Sequence, residues 1–150
     1  RVLRYELRED VAGAGKWRGG LGSVREFTFL SDGGASVEGE GHRYRPWGFL
    51  GGGEGMPAKL DLVTTAGGER ALPSKVPHMN IAKDGRFICY GPAGGGYGNA
   101  LERDPQKVAD DVLDEVISPA TALKDYGVVV SAKGVVDQAA TRKARSGRAA

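Results

Sequence analysis

Apolar and polar residues alternate with a period of two over Arg1–Glu9, with Leu3, Tyr5 and Leu7 on one side and Arg4, Glu6 and Arg8 on the other. That pattern predicts a half-buried strand. Runs rich in β-branched and aromatic residues predict further strands at Ser23–Leu30, Ala35–Gly41, Leu60–Thr64, Met79–Ala82 and Arg86–Tyr90. Asp32-Gly33-Gly34 has the composition of a hairpin turn, and Ala66-Gly67-Gly68-Glu69 and Asp84-Gly85 read as turns. Past residue 104 the period lengthens. Val108, Val112 and Val116 recur at helical spacing with Leu113 beside them, while Lys107, Asp110, Asp111, Asp114 and Glu115 form a solvated polar face. Asp104-Pro105 and Ser118-Pro119 are helix starts, Gly127 a helix stop, and Asp137 caps a last helix to about Arg145. Val128–Val130 reads as a short strand and Lys133-Gly134 as a turn.

Strands first and helices later predict an α+β fold: an antiparallel, barrel- or sandwich-like core of roughly six to eight strands, followed by a helical C-terminal segment. The 150 residues suit a single domain, β-rich over 1–90, with a glycine-rich loop over 91–104 and mainly helical over 105–150. The helical stripes are expected to bury against the β-layer or against another chain. With 40% apolar and 27% charged residues the chain is globular rather than disordered. A net charge of +2 argues against nucleic acid as partner, and Arg142, Lys143, Arg145 and Arg148 read as a solvated tail. No apolar run is long enough to span a membrane. Cys89 stands alone, so an internal disulfide framework is excluded. With no recognisable signal peptide, a cytoplasmic location is expected. The chain opens on Arg1 and runs straight into a strand, which we read as a piece of a longer polypeptide.

Glycine changes the picture most. Its 25 residues are more than double an average share of about 7%. They gather in loops at Val11–Gly22, Phe49–Ala58 and Gly91–Pro105, the last lying between a strand and a helix start. Four glycines within Gly94–Gly98 allow several backbone N–H groups to converge on an anion or on a partner's backbone. The letters are not those of a nucleotide loop: the dinucleotide spacing fails at Asn99, and Gly15-Lys16 is followed by Trp17. Arg18 beside Gly19-Gly20 offers a guanidinium and free N–H groups together, suited to a substrate or subunit contact. The plainer reading is a surface loop anchored to the core by Trp17, and the sequence leaves both open. Arg18, Gly19, Gly20, Gly94, Gly95, Gly96 and Tyr97 are therefore the candidate binding residues.

No catalytic residue is assigned. Ser74 and Lys75 are adjacent on an extended chain and would point to opposite faces, which defeats a Ser-Lys pair. His42 and His78 lie far apart without Cys or paired carboxylates at ligand spacing, so no metal site is expected on this chain. His42–Trp47 does mix cations and aromatics, a composition suited to anions or planar ligands.

Several ordered segments together carry a resemblance. Gly94-Gly95-Gly96-Tyr97-Gly98-Asn99-Ala100-Leu101-Glu102-Arg103-Asp104-Pro105 is similar to a Gly-Gly-Gly-Tyr-Gly-Asp-Pro-Leu-Glu-Arg-Asp-Pro signature, with Asn99-Ala100 where Asp-Pro is usual. Gly15–Gly22, with its Arg18-Gly19-Gly20-Leu21-Gly22, Pro46-Trp47-Gly48 with Gly51-Gly52-Gly53, Leu72-Pro73-Ser74-Lys75 and Asp125-Tyr126-Gly127-Val128-Val129 match further elements in the same order. In these the chain resembles the hydantoinase B/oxoprolinase family over nearly its whole length. The resemblance implies the C-terminal part of a subunit that works with an ATP-binding hydantoinase A-like subunit in ATP-dependent hydrolysis of cyclic amides. An unactivated amide carbonyl is a poor electrophile, and phosphorylating its oxygen makes that oxygen a leaving group. The resemblance places ATP and a divalent metal elsewhere in the complex, on the partner and on the remainder of the hydantoinase B-like subunit. Relatives that carboxylate ketones share the scaffold, and a non-catalytic assembly domain is the reading from another class.

Overall fold

A computed structural model describes residues 1–148. Seven strands precede three helices: β1 (Val2–Leu7), β2 (Ser23–Thr28), β3 (Gly33–Glu38), β4 (Lys59–Val63), β5 (Glu69–Ala71), β6 (Lys75–Ile81) and β7 (Arg86–Tyr90), then α1 (Pro105–Leu113), α2 (Pro119–Tyr126) and α3 (Gln138–Ser146). The expected α+β order is observed. β1, β2, β7, β4 and β5 form one antiparallel sheet in that spatial order, while β3 pairs with β6 in a separate ribbon. The five-stranded sheet keeps two free edges, so the arrangement is layered and the barrel alternative is corrected.

Leu60, Leu62, Leu72, Ile81 and Phe87 form the β-core, joined by Phe27, Phe29, Val37, Val76 and Met79 from both layers. The turn at Asp32-Gly33-Gly34 does not close a hairpin, as its letters imply. β2 pairs with β1 and β7, and β3 crosses to β6. Turn composition sets local direction only; sending β3 into the second layer covers the cluster of Phe27, Phe29 and Phe87 rings, 5.7–6.3 Å apart, burying Phe87 fully and the other two in part. On the opposite side of the sheet Glu26 meets Arg4 and Arg86, and the buried Asp61 carboxylate lies 2.6 Å from Lys59 Nζ.

β1 departs from expectation in burial. Its strand period is real, but Val2, Leu3, Tyr5 and Leu7 are all exposed, because the β3–β6 ribbon covers β2, β7 and β4 and stops short of β1.

The helices build a second core of their own. Val108, Ala109, Val112, Val116, Ile117, Ala122, Tyr126, Val128 and Val130 pack together, with Ala14, Leu21 and Ala100 from the loops against them. The expected burial against the sheet is thus corrected: α1 and α2, with the segments that follow them, cover each other's apolar stripes, while α3 buries only Thr141. The helix ends follow the sequence signals. Asp104, Ser118 and Asp137 accept N–H bonds from Gln106, Thr121 and Ala140, and Gly127 ends α2 at φ 63°. Val128–Val130 is not a strand; only Val130 makes a bridge, to Val136, and the buried Val128 serves the helical core. The basic C-terminus is not simply a solvated tail. Arg145 donates to the carbonyls of Tyr126 and Arg103, and Arg148 to that of Lys124.

Candidate functional site: three interwoven glycine loops

The segments 13–20, 46–55 and 91–98 lie side by side and exchange main-chain hydrogen bonds. Trp17 and Tyr97 donate to each other's carbonyls at 3.0 and 2.9 Å. Gly94 N–H donates to the Gly20 carbonyl, Gly96 N–H to that of Gly53, and Gly98 N–H to that of Phe49. Gly53 N–H in turn reaches the Ala14 carbonyl. The sequence candidates Arg18–Gly20 and Gly94–Tyr97, far apart in the chain, are therefore neighbours. The third segment, 46–55, was not among them, although its own glycine density and its Pro46-Trp47-Gly48 element marked it.

Close packing explains the glycines better than backbone freedom does. A Cβ on Gly19 would enter the Gly94 carbonyl, and one on Gly95 would enter that of Trp47. Only bare main chain lets three strands of loop approach this nearly. Gly20 is the exception: it is exposed, and a Cβ there would meet nothing. The N–H groups of Gly94, Gly96, Tyr97 and Gly98 are all consumed by carbonyls of this chain.

Arg18 points inward. Its Nε lies 3.3 Å from Asp111 Oδ2, and Arg103 Nη2 lies 2.8 Å from the same oxygen. Arg103 also donates to the Lys16 carbonyl. One buried carboxylate on α1 thus ties two loops to the helical core, and the reading of Asp111 as part of a solvated face is corrected. Helical spacing places Asp111 on the polar side, but it cannot reveal two arginines arriving from loops. Tyr126, at the centre of the same core, has its phenol pushed up to about 12 by burial, with Arg103 pulling the other way.

The outer side of the weave is aromatic. Trp17, Trp47, Phe49 and Tyr97 are exposed, the Phe49 and Tyr97 rings are 5.9 Å apart, and Lys107 Nζ sits 5.0 Å from the Trp17 ring. Trp17 is therefore a surface residue and does not anchor its loop to the core. An open, polar cavity of about 450 Å³ borders the weave, lined among others by Asp10, Arg45, Glu54 and Lys124. His42 and His78 make ordinary polar contacts, with the Glu40 carbonyl and with Asn80. Among the described residues no three His, Cys, Asp or Glu side chains converge as metal ligands would. Burial raises the Cys89 thiol above its ordinary value, which leaves it protonated and a poor nucleophile at neutral pH.

A profile of the family described as hydantoinase B/oxoprolinase matches residues 1–100. The chain belongs to the hydantoinase B/oxoprolinase family. It is 45% identical over 146 residues to the B-type subunit of a putative D-/L-hydantoinase of Pseudomonas sp. (strain NS671), covering 97% of this chain and 25% of that protein. It is 34% identical over 155 residues to the caprolactamase beta chain of Pseudomonas jessenii, covering 97% of this chain and 26% of the relative. The crystal structure of ATP-dependent caprolactamase from Pseudomonas jessenii matches with TM-score 0.76 at 32% identity, over 97% of this chain and 26% of that one. Nucleotide-free acetone carboxylase shares the fold, with TM-score 0.80 at 24% identity, over 98% of this chain and 24% of that one. The chain spans about a quarter of the length of these family relatives. No described helix is long and apolar enough to cross a membrane.

Proposed function

We propose that this chain is the C-terminal domain of an ATP-dependent cyclic-amide hydrolase of the hydantoinase B type, supplying walls and subunit contacts around a reaction centre held elsewhere. The observation that carries this reading is the weave itself. The amides of Gly94, Gly96, Tyr97 and Gly98 are spent internally, and its outer side offers aromatic rings and open main chain at Gly20 but no assembled nucleophile and base. In this reading the ATP and the divalent metal sit on the rest of the complex, with an A-type subunit as nucleotide-binding partner, in the cytoplasm. The greater identity to the hydantoinase and caprolactamase relatives than to the acetone carboxylase alpha chain, 45% and 34% against 29%, favours amide hydrolysis over ketone carboxylation. Product analysis of the purified complex with and without bicarbonate separates those two.

Gly20 and Gly95 provide the test of a contact role. Gly95→Ala forces a side chain into the Trp47 carbonyl and is expected to destabilise the domain whatever its function. Gly20→Leu adds bulk to open space and is expected to leave the domain's melting temperature unchanged while lowering turnover or assembly of the full complex at least about tenfold. Wild-type turnover and assembly of the Gly20→Leu complex would remove Gly20 from the contact surface. Lost turnover in a fully assembled complex assigns the contact to the substrate site, and lost assembly assigns it to a partner chain.

A further inference from the structure

The two edges of the five-stranded sheet are unlike. β5 is short, only Glu69–Ala71, and carries two charges, the usual way an edge is kept from pairing. β1 is six residues long, about 20 Å of strand, and although Arg4 and Glu6 occupy its other side, the side bearing Tyr5 and Leu7 is apolar. Its Tyr5 is 72% and its Leu7 64% exposed, levels that a strand at the rim of a finished sheet seldom carries on its core side. Tyr5 lies opposite Arg25 of β2, whose guanidinium stands 5.8 Å from its ring, and that row continues through Cys89 to Leu60 of the β-core. The side chains of Tyr5 and Leu7 therefore extend the apolar layer past the point where the β3–β6 ribbon ends.

The main chain is equally unfinished. Arg8 donates its N–H to the Gly22 carbonyl of the strand's β2 side. By the alternation of an antiparallel ladder, the N–H and C=O groups of Leu7 and Tyr5 then point away from β2, toward the free edge.

We propose that β1 is paired along this edge, in the intact protein, by an extended segment from the part of a hydantoinase B-type subunit that lies outside these 150 residues. That segment presents apolar side chains at alternate positions, to meet Tyr5 and Leu7. Two observations select this occupant. Relatives of this chain are about four times its length, so most of such a subunit is available to supply a strand. A single added strand buries only a few hundred Å², below the roughly 1,000 Å² that free association needs, whereas a tethered segment arrives at millimolar effective concentration. The proposal rests on family membership and on the edge geometry, not on amide hydrolysis, and can fail while that reading stands.

Hydrogen exchange at the Tyr5 and Leu7 amides, in an intact hydantoinase B-type subunit carrying this sequence, tests it against the rate of an unstructured peptide. The expected result is exchange slowed at least about 100-fold, independent of protein concentration and of any other subunit. Free exchange at both amides overturns the proposal. So does slowing that appears only as concentration rises, which would make a second copy the occupant, or only when another subunit is added. Tyr5→Pro supplies the second arm, since it deletes a donor that β2 does not use. Protection at Leu7 is expected to fall with that substitution while Arg8, bonded toward β2, stays slow. Unchanged protection at Leu7 would assign its slow exchange to something other than strand pairing and would overturn the proposal.

Discussion

Asp111 is the residue on which the loops and helices jointly depend. Its carboxylate answers two guanidiniums, Arg18 and Arg103, and all three side chains are largely removed from water. Removing one member of a buried ion cluster costs far more than removing all of it, because the partners stay charged and desolvated. Asp111→Asn is expected to lower unfolding free energy by about 3 kcal/mol, read as a lower urea midpoint with an unchanged m-value. Tyr126 makes a different prediction in the same core. Its folded pKa of about 12 lies above the ordinary phenol value of about 10, so the folded state holds the proton more tightly. The associated stability is complete below pH 10 and is lost as pH rises through about 12, by an amount on the order of 2–3 kcal/mol. Denaturation in urea between pH 9 and 12 reads this directly, and Tyr126→Phe should flatten the slope. Neither residue announces itself in the sequence. The helical period correctly assigns Asp111 to a polar face, but the arginines that bury it come from segments 93 and 8 residues away.

At the level of elements, the most legible features were those set by neighbouring residues. Asp104-Pro105, Ser118-Pro119 with Gly127, and Asp137 locate three helices because a cap is a contact within one turn of chain. Most strand positions were also legible from alternation and side-chain type, but the short, charged β5 fell in a stretch read as a turn, and β6 begins at Lys75, ahead of the expected Met79. Pairing was not legible. Nothing in Asp32-Gly33-Gly34 says that the strand beyond it joins β6 rather than β2, since the second layer is held by Val37, Val76 and Met79 packing onto the sheet's core. Burial of β1 failed for a related reason: alternation shows which side of a strand is apolar, not whether anything covers it. The glycine loops were visible as loops and their importance as a group was visible too. Their mutual hydrogen bonding depends on three segments arriving at one place, which no local pattern records.

At the scale of the whole molecule, strands before helices were enough to give the α+β class, and ordered motifs were enough to give the family. The division into two cores was not foreseen. The β-core and the helical core share no buried residue, and of the glycine weave only Ala14 packs against either, the helical one. The weave is held by main-chain bonds with little apolar area of its own, so it should open more readily than either core. Native-state hydrogen exchange is expected to show Gly94, Gly96 and Tyr97 exchanging ahead of Phe87 and Val108. A single common opening free energy for all five would mean that the cores and weave unfold as one unit.

A layer made of bare main chain also constrains how such a domain can diversify. Positions such as Gly19 and Gly95 admit no side chain at all, so substitution there is closed. Trp17, Phe49 and Tyr97 hang from the same layer by backbone bonds that are indifferent to side-chain identity. Descendants of this sequence can therefore exchange the rings at its rim freely, acquiring new preferences while the frame beneath stays fixed.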